Sequence, residues 1–543
     1  MDYNNVTETY DYLIIGGGAA GAILANRLSA SGHYSVCLLE AGPSDRHPFI
    51  HIPAGFIKMI FNPAYTWQFT TEPSELTLGR RIPIPQGRVL GGSTSINGLI
   101  HNRGQRDDFD HWARLGNKGW DYESILPYFK RTEHRLARAT EYRGHDGLMP
   151  VSDTDWKHPI ADAFIAGAEE LGIPGNEDYN GHTQEGAGYF QRTIYKGRRM
   201  STAQTYLKAA KHHKSLRIKT CTHVTRILIE NERAVGVEYR EARDQSNSRI
   251  AARREVILCA GAINTPKLLQ LSGIGEPEHL HGLGLSVSHA LPGVGQHLKD
   301  HYSVRVVARV KNSRTINELA RGVQLGGQIL NWVLRRPSIL ALSPSLVYYF
   351  WKSDEALPTA DLQGVFTPAS YKEGYVGVLD DYPGMTCGVW QHRPRSSGFV
   401  RITSKDPFAA PMVQPNYLQD PHDREILIKG IRLARRLLES ERLSHYMDGE
   451  VLPGDSTQSD EELLAFASRF GVSSYHLNGT AKMGPADDTM AVVDPELRVH
   501  GLQGLRIADS SVMPEIPSAN ICAATMMIAE KAADLILGSS HPS

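Results

Sequence analysis

Three glycines and one glutamate near the start of the chain have the types and spacing of a dinucleotide-binding site. Gly16, Gly18 and Gly21 form a G-x-G-x-x-G pattern, and Glu40 follows 19 residues after Gly21. In such a pattern the first glycine permits a tight turn, the second lets backbone amides approach a pyrophosphate, and the third allows a helix to pack closely on a strand. The carboxylate then accepts hydrogen bonds from a ribose diol. The predicted chemistry is therefore the binding of an ADP-containing cofactor.

The elements around this pattern support that interpretation, because the glycines lie between a strand and a helix. Residues 12–15 are predicted as a short buried strand, residues 19–30 as a helix and residues 35–39 as a second strand. Glu40 closes the second strand, where its charge would repel the 2′-phosphate of NADP. FAD and NAD both carry ADP, so this unit alone leaves the choice between them open.

A similar alternation of strands and helices returns later in the chain. The strand-like segments are residues 217–219, 226–230, 255–259 and 505–508, and the helix-like ones are residues 523–537 and 266–271, the latter with Pro266 in its first turn. A polar patch near residues 244–248 suits an exposed hairpin turn. A middle block combines strand-like residues 302–310, 346–351 and 398–402 with helix-like residues 316–334 and 424–438.

This pattern predicts an α/β protein with two domains. One is a Rossmann-like cofactor-binding domain assembled from discontinuous segments, and the other is an α+β substrate-binding domain with an antiparallel sheet covered by helices. At 543 residues the chain exceeds what one hydrophobic core usually serves. We assign residues 1–160, 210–300 and 475–543 to the cofactor-binding domain, and residues 161–209 and 301–474 to the substrate-binding domain.

The charge balance and the cysteines argue against several classes of function. Lys and Arg total 58 against 59 Asp and Glu, so a formal net charge of -1 creates no field that would attract nucleic acid. The five cysteines lie far apart without a CxxC pair, which argues against a disulfide framework and a zinc site. We therefore expect no metal and no nucleic-acid partner.

The distribution of apolar residues predicts a soluble protein. The first residues are acidic and polar, and the first apolar run is already the start of a strand, so no signal peptide is expected. Later apolar stretches such as residues 343–351 are shorter than the ~20 residues that cross a bilayer. We expect a cytoplasmic location without a transmembrane segment and leave peripheral attachment to a membrane open.

Two longer glycine-containing segments carry a family resemblance. Residues 87–97 (GRVLGGSTSIN) and 261–275 (GAINTPKLLQLSGIG) resemble the two signatures of the glucose-methanol-choline (GMC) oxidoreductases. The resemblance continues through residues 108–112, 116–120 and 126–130 and from residue 474 to the C-terminal helix, so it covers nearly the whole chain. It implies an FAD-dependent oxidoreductase, similar to choline dehydrogenase-like bacterial enzymes, that acts on the CH–OH group of an alcohol.

The resemblance implies that residues 87–97 line FAD, which selects FAD over NAD. A Gly-Gly pair followed by small hydroxyl residues suits a loop beside a flat ring and a diphosphate. Some family members attach flavin through a histidine in this stretch, but Ile96 matches that position, so we expect FAD without a covalent bond. The predicted cofactor-binding residues are Gly16, Gly18, Ala19, Ala20, Gly21, Glu40, Trp67, Arg88, Gly91, Gly92, Asn97, Gly98, Leu99, Ile100, Val224, Ala508, Asp509, Asn520 and Ile521.

The C-terminal part of the resemblance supplies a catalytic pair. Residues 474–484 resemble the family's histidine-containing motif, and Asp509 with residues 513–520 resembles its closing motif. Oxidation of an alcohol removes a hydroxyl proton and a hydride; flavin accepts the hydride, so the protein must take the proton. His476 is the predicted base, because the ordinary pKa of histidine, about 6.5, lies near the working pH. Asn520 is predicted to orient the hydroxyl or the forming alkoxide.

Several of these residues have a purely structural alternative. Asn520 could cap the following helix, Asp509 could cap a turn, and Val224 and Trp67 could simply belong to the core. The family implies instead that Asp509 contacts the diphosphate or ribityl region of FAD, that Val224 holds adenine through backbone atoms, and that Trp67 lies near the flavin.

The sequence departs from the family pattern at two places. Residues 521–524 (ICAA) replace a stretch that commonly carries Thr and Pro, and residues 100–104 (IHNRG) carry His-Asn where an aromatic-aliphatic pair is common. Both changes alter the pocket, so a substrate cannot be transferred from a named relative. His101 is a second-tier candidate for the site.

The predicted function is FAD-dependent oxidation of a primary alcohol to an aldehyde, with the hydride passing to flavin and the proton to His476. The alternatives are a non-redox family member, a lyase or decarboxylase that retains FAD, and an NAD-dependent dehydrogenase, which residues 87–97 disfavour. The expected partners are a small alcohol and an electron acceptor, either oxygen or a quinone-like molecule. The sequence does not predict the oligomeric state.

Overall fold

Two large β-sheets and the helices around them organise the chain, of which the computed structural model describes residues 6–137, 140–242, 244–372 and 378–538. The strands of the two sheets are β1 (Val6–Ile15), β2 (Val36–Leu39), β3 (Gly186–Tyr189), β4 (Leu216–Lys219), β5 (Thr222–Glu230), β6 (Arg233–Glu241), β7 (Asp244–Leu258), β8 (Tyr302–Val310), β9 (Val347–Trp351), β10 (Leu362–Thr367), β11 (Gly384–Gln391), β12 (Met447–Leu452), β13 (Val472–Ser473) and β14 (Leu505–Ile507). The longer helices are α1 (Ala19–Ser29), α2 (Arg106–Arg114), α3 (Tyr122–Thr132), α4 (Pro159–Glu170), α5 (Gly261–Leu271), α6 (Gly322–Val333), α7 (Pro421–Leu438), α8 (Asp460–Phe470) and α9 (Cys522–Gly538).

The first sheet contains the predicted βαβ unit. Its strand order is β4-β2-β1-β7-β6-β5, and β14 pairs with β7. Strands β4, β2, β1 and β7 pair with one another in parallel, and β14 pairs in parallel with β7. Strand β6 pairs antiparallel with both β7 and β5. All four residues of β2 are buried, as expected for a parallel strand that is covered on both faces. The strand predicted at residues 12–15 is the end of β1, which begins at Val6.

The second sheet is antiparallel and comes mainly from the middle block of the chain. Its order is β12-β8-β11-β10-β9-β3, with β13 on β8. Because side chains alternate along a strand, β8 presents two different faces. Val306 and Ala308 join residues of α4, α7 and α8 in one core cluster, whereas Ser303 and Arg305 line a cavity. The helices therefore cover one face, and the other face forms a cavity wall.

Helix α5 begins earlier than the sequence indicated. It starts at Gly261, so Pro266 lies inside the helix and not in its first turn. Proline has no N–H, which leaves the carbonyl of the residue four positions earlier without its helical donor. That residue is Ala262, and the Thr480 hydroxyl donates to its carbonyl oxygen at 2.7 Å. A side chain from the predicted catalytic segment thus compensates for the proline.

Two further elements differ from the sequence-based expectation. Residues 316–334 were predicted as one helix but form Ile316–Leu319 and α6, separated near Gly322, which has a φ of 50°. The polar patch at residues 244–248 was predicted as a hairpin turn but belongs to β7, because the chain reverses just before it, between β6 and β7.

The two sheets draw on different parts of the chain, as the predicted fold class requires. Strands of the first sheet come from residues 6–39, 216–258 and 505–507, and strands of the second from residues 186–189, 302–391 and 447–473. The domain boundaries given above stay a prediction. Among the residues that the structure describes, no helix combines the length and the apolar character that a bilayer crossing requires.

Candidate active site

A cavity of about 410 Å³ brings together the motifs from both ends of the chain. Part of its wall is the turn between β1 and α1, together with Glu40 and Gly92. Another part contains His476 and Asn520 and the exposed face of the second sheet. The cavity therefore connects the predicted cofactor-binding glycines with the predicted catalytic pair.

The glycine-rich part of the wall is a backbone cradle at the start of α1. Gly18 precedes the helix, no side chain caps it, and no acidic residue lies in the first turn, so the free N–H groups can bind an anion. Gly92 approaches so closely that a Cβ atom built on it would lie 2.6 Å from the Gly18 Cα. A Cβ on Gly21 would lie 1.9 Å from the Gly16 carbonyl oxygen. These contacts fit the predicted pyrophosphate site and its tightly packed helix.

Glu40 supplies a buried carboxylate beside this cradle. Its two oxygens accept hydrogen bonds from the Gly17 N–H at 2.7 Å and the Gly42 N–H at 2.8 Å. Burial raises the pKa of Glu40 to about 7, although these two N–H groups and Arg88 oppose the shift. A carboxylate has about four lone-pair positions. Acceptor capacity therefore remains for the hydroxyls of a ribose.

His476 and Asn520 meet directly in the cavity. The Asn520 Nδ2 lies 3.1 Å from the His476 Nε2. Gln363 Nε2 donates to the Asn520 Oδ1 at 3.2 Å, which turns the amide nitrogen toward the histidine. The hydrogen bonds of the Asn520 side chain thus connect His476 with the second sheet and place the amide to act on a group bound at Nε2.

A chain of hydrogen bonds fixes the tautomer of His476. The His301 Nε2 lies 2.7 Å from the carbonyl oxygen of His392, and because a carbonyl only accepts, this nitrogen carries a proton. In a neutral ring the His301 Nδ1 is then an acceptor, and it lies 2.9 Å from the His476 Nδ1. His476 therefore donates from Nδ1, so its Nε2 is unprotonated and accepts the hydrogen bond from the Asn520 amide that a substrate hydroxyl can replace.

The surroundings keep these histidines neutral. Burial lowers the pKa of His476 well below 6.5, and the neighbouring His301 lowers it further. Burial also lowers the pKa of His301 to about 4. Both rings are consequently uncharged at neutral pH, which is the form that the tautomer chain requires and the form in which His476 can act as a base.

Asp300 holds the backbone of both histidines in place. Its Oδ1 accepts from the His476 N–H at 2.8 Å and from the His301 N–H at 2.9 Å. Its Oδ2 accepts from the hydroxyls of Ser473 and Tyr417. One buried carboxylate thus connects the start of β8 with the catalytic segment. The segment also turns sharply before His476, because Tyr475 has a φ of 64°.

Most of the predicted site residues line the cavity. These are Gly16, Gly18, Ala19, Ala20, Glu40, Trp67, Gly92, Asn97, Gly98, Leu99, Ile100, Val224, His476, Asp509, Asn520 and Ile521. Ile96, the position expected to rule out a covalent flavin link, lines it as well. Their individual contacts with a cofactor stay predictions.

Four predicted residues lie behind the cavity wall. Gly21 and Gly91 shape the backbone there, with a φ of 87° at Gly91. The Arg88 guanidinium carbon lies 4.8 Å from the ring centroid of Trp67, which itself lines the cavity. The Ala508 N–H donates to the carbonyl of Leu258 at 2.9 Å. These residues support the wall through packing and backbone geometry.

The side chain of Asp509 acts as a cap, which is the structural role given above as the alternative to cofactor contact. Its Oδ2 accepts from the Gly261 N–H at 2.9 Å and from the Thr265 hydroxyl at 2.6 Å, so it caps the start of α5. Its Oδ1 accepts from the N–H and the hydroxyl of Ser511. Asp509 also lines the cavity, and its predicted cofactor contact is compatible with the cap. The second-tier candidate His101 is buried outside this cavity, next to a smaller one.

The residues that support and surround the catalytic pair were not predicted from the sequence. Asp300, His301 and Gln363 reach it through hydrogen bonds, and Arg305 and Trp390 line the cavity beside it. The Asp300–His301 pair directly before a well-predicted strand was an available signal, since polar residues at strand ends often serve a site. Gln363 and Trp390 come from separate strands, so only the sheet register places them together.

Comparisons with known proteins agree with the geometry. A family model described as GMC oxidoreductase matches residues 10–303, and a second with the same description matches residues 394–529. The oxygen-dependent choline dehydrogenase of Vibrio vulnificus (strain YJ016) is 40% identical over 532 residues, which cover 98% of this chain and 94% of that protein. The mitochondrial choline dehydrogenase of Homo sapiens is 38% identical over 538 residues, covering 98% and 90%. The crystal structure of pyridoxine 4-oxidase from Mesorbium loti has a TM-score of 0.88 at 28% identity and covers 98% of this chain and 100% of that one.

Proposed function

This chain belongs to the GMC oxidoreductase family, and on that premise we propose that it oxidises a small primary alcohol to an aldehyde with His476 as the base. It is an FAD-dependent oxidoreductase that acts on CH–OH groups. The observation that carries the proposal is the convergence of the unprotonated His476 Nε2 and the Asn520 amide, 3.1 Å apart, in a cavity shared with the dinucleotide cradle.

The family, the enzyme class and FAD, all predicted from the sequence, are confirmed. Because the cofactor is FAD, the alternative of an NAD-dependent dehydrogenase is excluded. The non-redox alternative receives no support, because the matching relatives are named as dehydrogenases and the matching structure as an oxidase.

The residues present fit FAD. The free N–H groups at the start of α1 would hold the diphosphate, Glu40 the ribose, and the backbone around Gly92 would pass close to the cofactor. Bound FAD supplies the acceptor for the hydride of the carbinol carbon. We propose that it is held without a covalent bond, because Ile96 offers only hydrocarbon at the position where relatives carry the linking histidine.

Substitution of Gly92 by alanine should strongly reduce bound FAD. The added Cβ would lie 2.6 Å from the Gly18 Cα, so the loop must move away from the cradle. We expect purified Gly92→Ala protein to retain less than about a tenth of the flavin, since such a displacement costs more than ~1.4 kcal/mol. The flavin-to-protein absorbance ratio measures this.

Gly32→Ala is the matched control for that experiment. Gly32 also has a positive φ, of 74°, but a Cβ there would meet no atom within 4 Å. Both variants therefore carry left-handed backbone strain, and only Gly92→Ala closes the cradle. Full flavin content in Gly92→Ala, or equal loss in both variants, would contradict the proposed cofactor site.

The chain's own residues handle the hydroxyl proton. An alcohol hydroxyl that enters the cavity takes the place of the Asn520 amide at the His476 Nε2 and transfers its proton there. His476 Nδ1–H continues to donate to His301, so the ring remains oriented while it becomes charged. Asn520 cannot act as a base, but its N–H can donate to the developing alkoxide. The proton therefore goes to His476 alone.

The pH dependence should reflect the lowered pKa of His476. The base works only when neutral, so activity is lost as the pH falls through the pKa of His476 and is retained above it. Because burial and His301 lower this pKa well below 6.5, kcat/KM should stay flat from pH 8 down past 6.5 and fall only at lower pH. A profile with an acid limb at or above pH 6.5 would disagree with the neutral, buried histidine.

The reaction itself is tested by anaerobic mixing with a panel of primary alcohols. We expect the flavin absorbance to bleach with at least one of them and an aldehyde to form in equal amount. Readmission of air then distinguishes the two predicted acceptors, because rapid reoxidation indicates oxygen and slow reoxidation indicates a quinone-like molecule. Flavin that never reduces across the panel would overturn the proposed alcohol oxidation.

The substrate and the location of the protein remain proposals. The names of the relatives make choline one candidate alcohol and oxygen one candidate acceptor. The cytoplasmic location, with peripheral membrane attachment left open, stays a prediction.

A further inference from the structure

One positively charged side chain on the cavity wall, that of Arg305, bears on which alcohol binds. Arg305 lies on β8, half-buried, with its side chain in the cavity. Its guanidinium carbon is 5.9 Å from the ring centroid of Tyr371. In the described part of the chain, no carboxylate forms an ion pair with it. Part of the cavity wall therefore carries an uncompensated cation.

The sheet register places Arg305 beside the catalytic pair. On β8 and β11, Ser303 pairs with Trp390 and Arg305 pairs with Gly388. The Trp390 ring lies 6.2 Å from the His476 ring, centroid to centroid. Arg305 is two residues further along the strand, a step of roughly 7 Å. A small alcohol with its carbinol at His476 thus extends past Trp390 toward the guanidinium.

The space beside Arg305 is open to a ligand. Its partner Gly388 has no side chain; a Cβ there would lie 2.9 Å from the Val365 Cγ2 and 3.8 Å from the Arg305 Cγ, so this strand position accepts no larger residue without a shift of Val365. Val365 pairs with Gly388 on the other side and also lines the cavity. Arg305, Gly388 and Val365 all line the cavity, so the space that a substrate can enter reaches the Arg305 side chain.

The carboxylates that line the cavity are already engaged elsewhere. Among the described lining residues these are Glu40 and Asp509. Glu40 accepts two backbone N–H groups beside the dinucleotide cradle, and Asp509 caps α5. Neither belongs to the second sheet, on which Arg305 lies. A cationic substrate would therefore meet a like charge and, on this wall, no counter-charge.

We propose that Arg305 is an anion-binding subsite and that the substrate is an alcohol with a carboxylate or similar anionic group at its other end. This rests on the proposed alcohol oxidation and names its substrate class. It disfavours choline, whose quaternary ammonium needs an anionic or aromatic cage, because the guanidinium already lies over the Tyr371 ring. Arginine suits a carboxylate because its planar fork can donate two hydrogen bonds.

The test compares ligands that share a benzene ring and differ in the charge of one substituent, using the FAD-loaded enzyme. Benzoate, benzamide and benzylammonium are titrated against the flavin absorbance, and the matching alcohols, para-(hydroxymethyl)benzoate, its amide and the para-(aminomethyl) analogue, are followed as substrates together with choline. We expect the anion to exceed the neutral amide by about 10- to 100-fold in both affinity and kcat/KM, the effect of one charge-assisted hydrogen bond pair. The ammonium compounds and choline should be the poorest.

Variants identify the residue responsible. Arg305→Gln should abolish the preference for the anion while leaving the flavin content at the wild-type level, and Arg305→Lys should restore part of the preference. Arg309→Gln is the matched control, because Arg309 lies on the same strand but is exposed and packs on Tyr382. It should leave the preference unchanged.

The outcomes separate this inference from the proposed function. Reduction of the flavin by these alcohols without an effect of charge or of Arg305→Gln would overturn the subsite alone, as would a preference for choline or an equal loss on all three alcohols. Benzoate binding that depends on Arg305, with no alcohol able to reduce the flavin, would support the subsite and overturn the alcohol oxidation.

Discussion

Replacement of His476 by glutamine should slow anaerobic flavin reduction by roughly 10²- to 10⁴-fold, the usual contribution of a general base. Glutamine can still form a hydrogen bond to Asn520, but its amide cannot accept a proton at neutral pH. The Nε2 lone pair that the hydrogen-bond chain leaves free is then missing. Stopped-flow absorbance of the flavin, recorded with the best alcohol of the panel, measures the rate.

The flavin content decides how a loss of activity is interpreted. His476→Gln should bind FAD at the wild-type level, because the cradle at Gly18 and Gly92 lies in another part of the wall. His281→Gln, at an exposed position of the helix Pro277–Gly282, is the matched control and should react normally. A His476→Gln enzyme that holds FAD and reduces it at the wild-type rate would refute the assignment of the base.

Replacement of His301 by leucine should lower the rate of flavin reduction about 10²-fold, although His301 is a positioning residue without a place in the cavity wall. The expected size follows from the effect of losing the group that sets a catalytic tautomer. Without the acceptor at His301 Nδ1, the His476 proton is no longer held on Nδ1, and Nε2 is protonated in part of the molecules. His301→Gln restores an acceptor and should recover part of the rate.

A second measurement distinguishes this role from general damage to the fold. His301 lowers the pKa of His476 in addition to burial, so the acid limb of the kcat/KM profile should move to higher pH in His301→Leu. His392→Leu is the matched control, because it removes a buried imidazole but keeps the carbonyl to which His301 donates. A His301→Leu enzyme with the wild-type rate and profile would disprove the tautomer chain.

The local parts of the fold could be predicted because their signals are local. The glycine spacing with Glu40 indicated β1, α1 and β2, and β8 was predicted with its observed bounds, Tyr302–Val310. The predicted start of α5 was wrong because Pro266 suggests a first turn. The hydroxyl that compensates for this proline, that of Thr480, lies 218 residues along the chain from Ala262, whose carbonyl accepts from it. A sequence pattern does not contain such a compensation.

Among the residues around the alcohol, only those that lie within a long family motif could be predicted from the sequence. His476 and Asn520 lie in such motifs, and the structure places them in direct contact. Arg305 and Gln363 lie in ordinary strands, and it is the register of the second sheet that brings Arg305 to the cavity wall and Gln363 to the Asn520 side chain. From the sequence alone, Arg305 would be predicted as a solvated arginine and Gln363 as an ordinary polar residue of a strand. The substrate end of the site was therefore not readable from the sequence.

The central claim, that His476 removes the hydroxyl proton, is tested most directly by the pH dependence of flavin reduction in His476→Gln. Without the base, the alcohol must ionise before hydride transfer, so the rate of the variant should rise about tenfold per pH unit toward high pH. The wild-type rate should stay flat over the same range, because its neutral histidine is available throughout. A variant with a flat profile at a rate close to wild type would contradict the account.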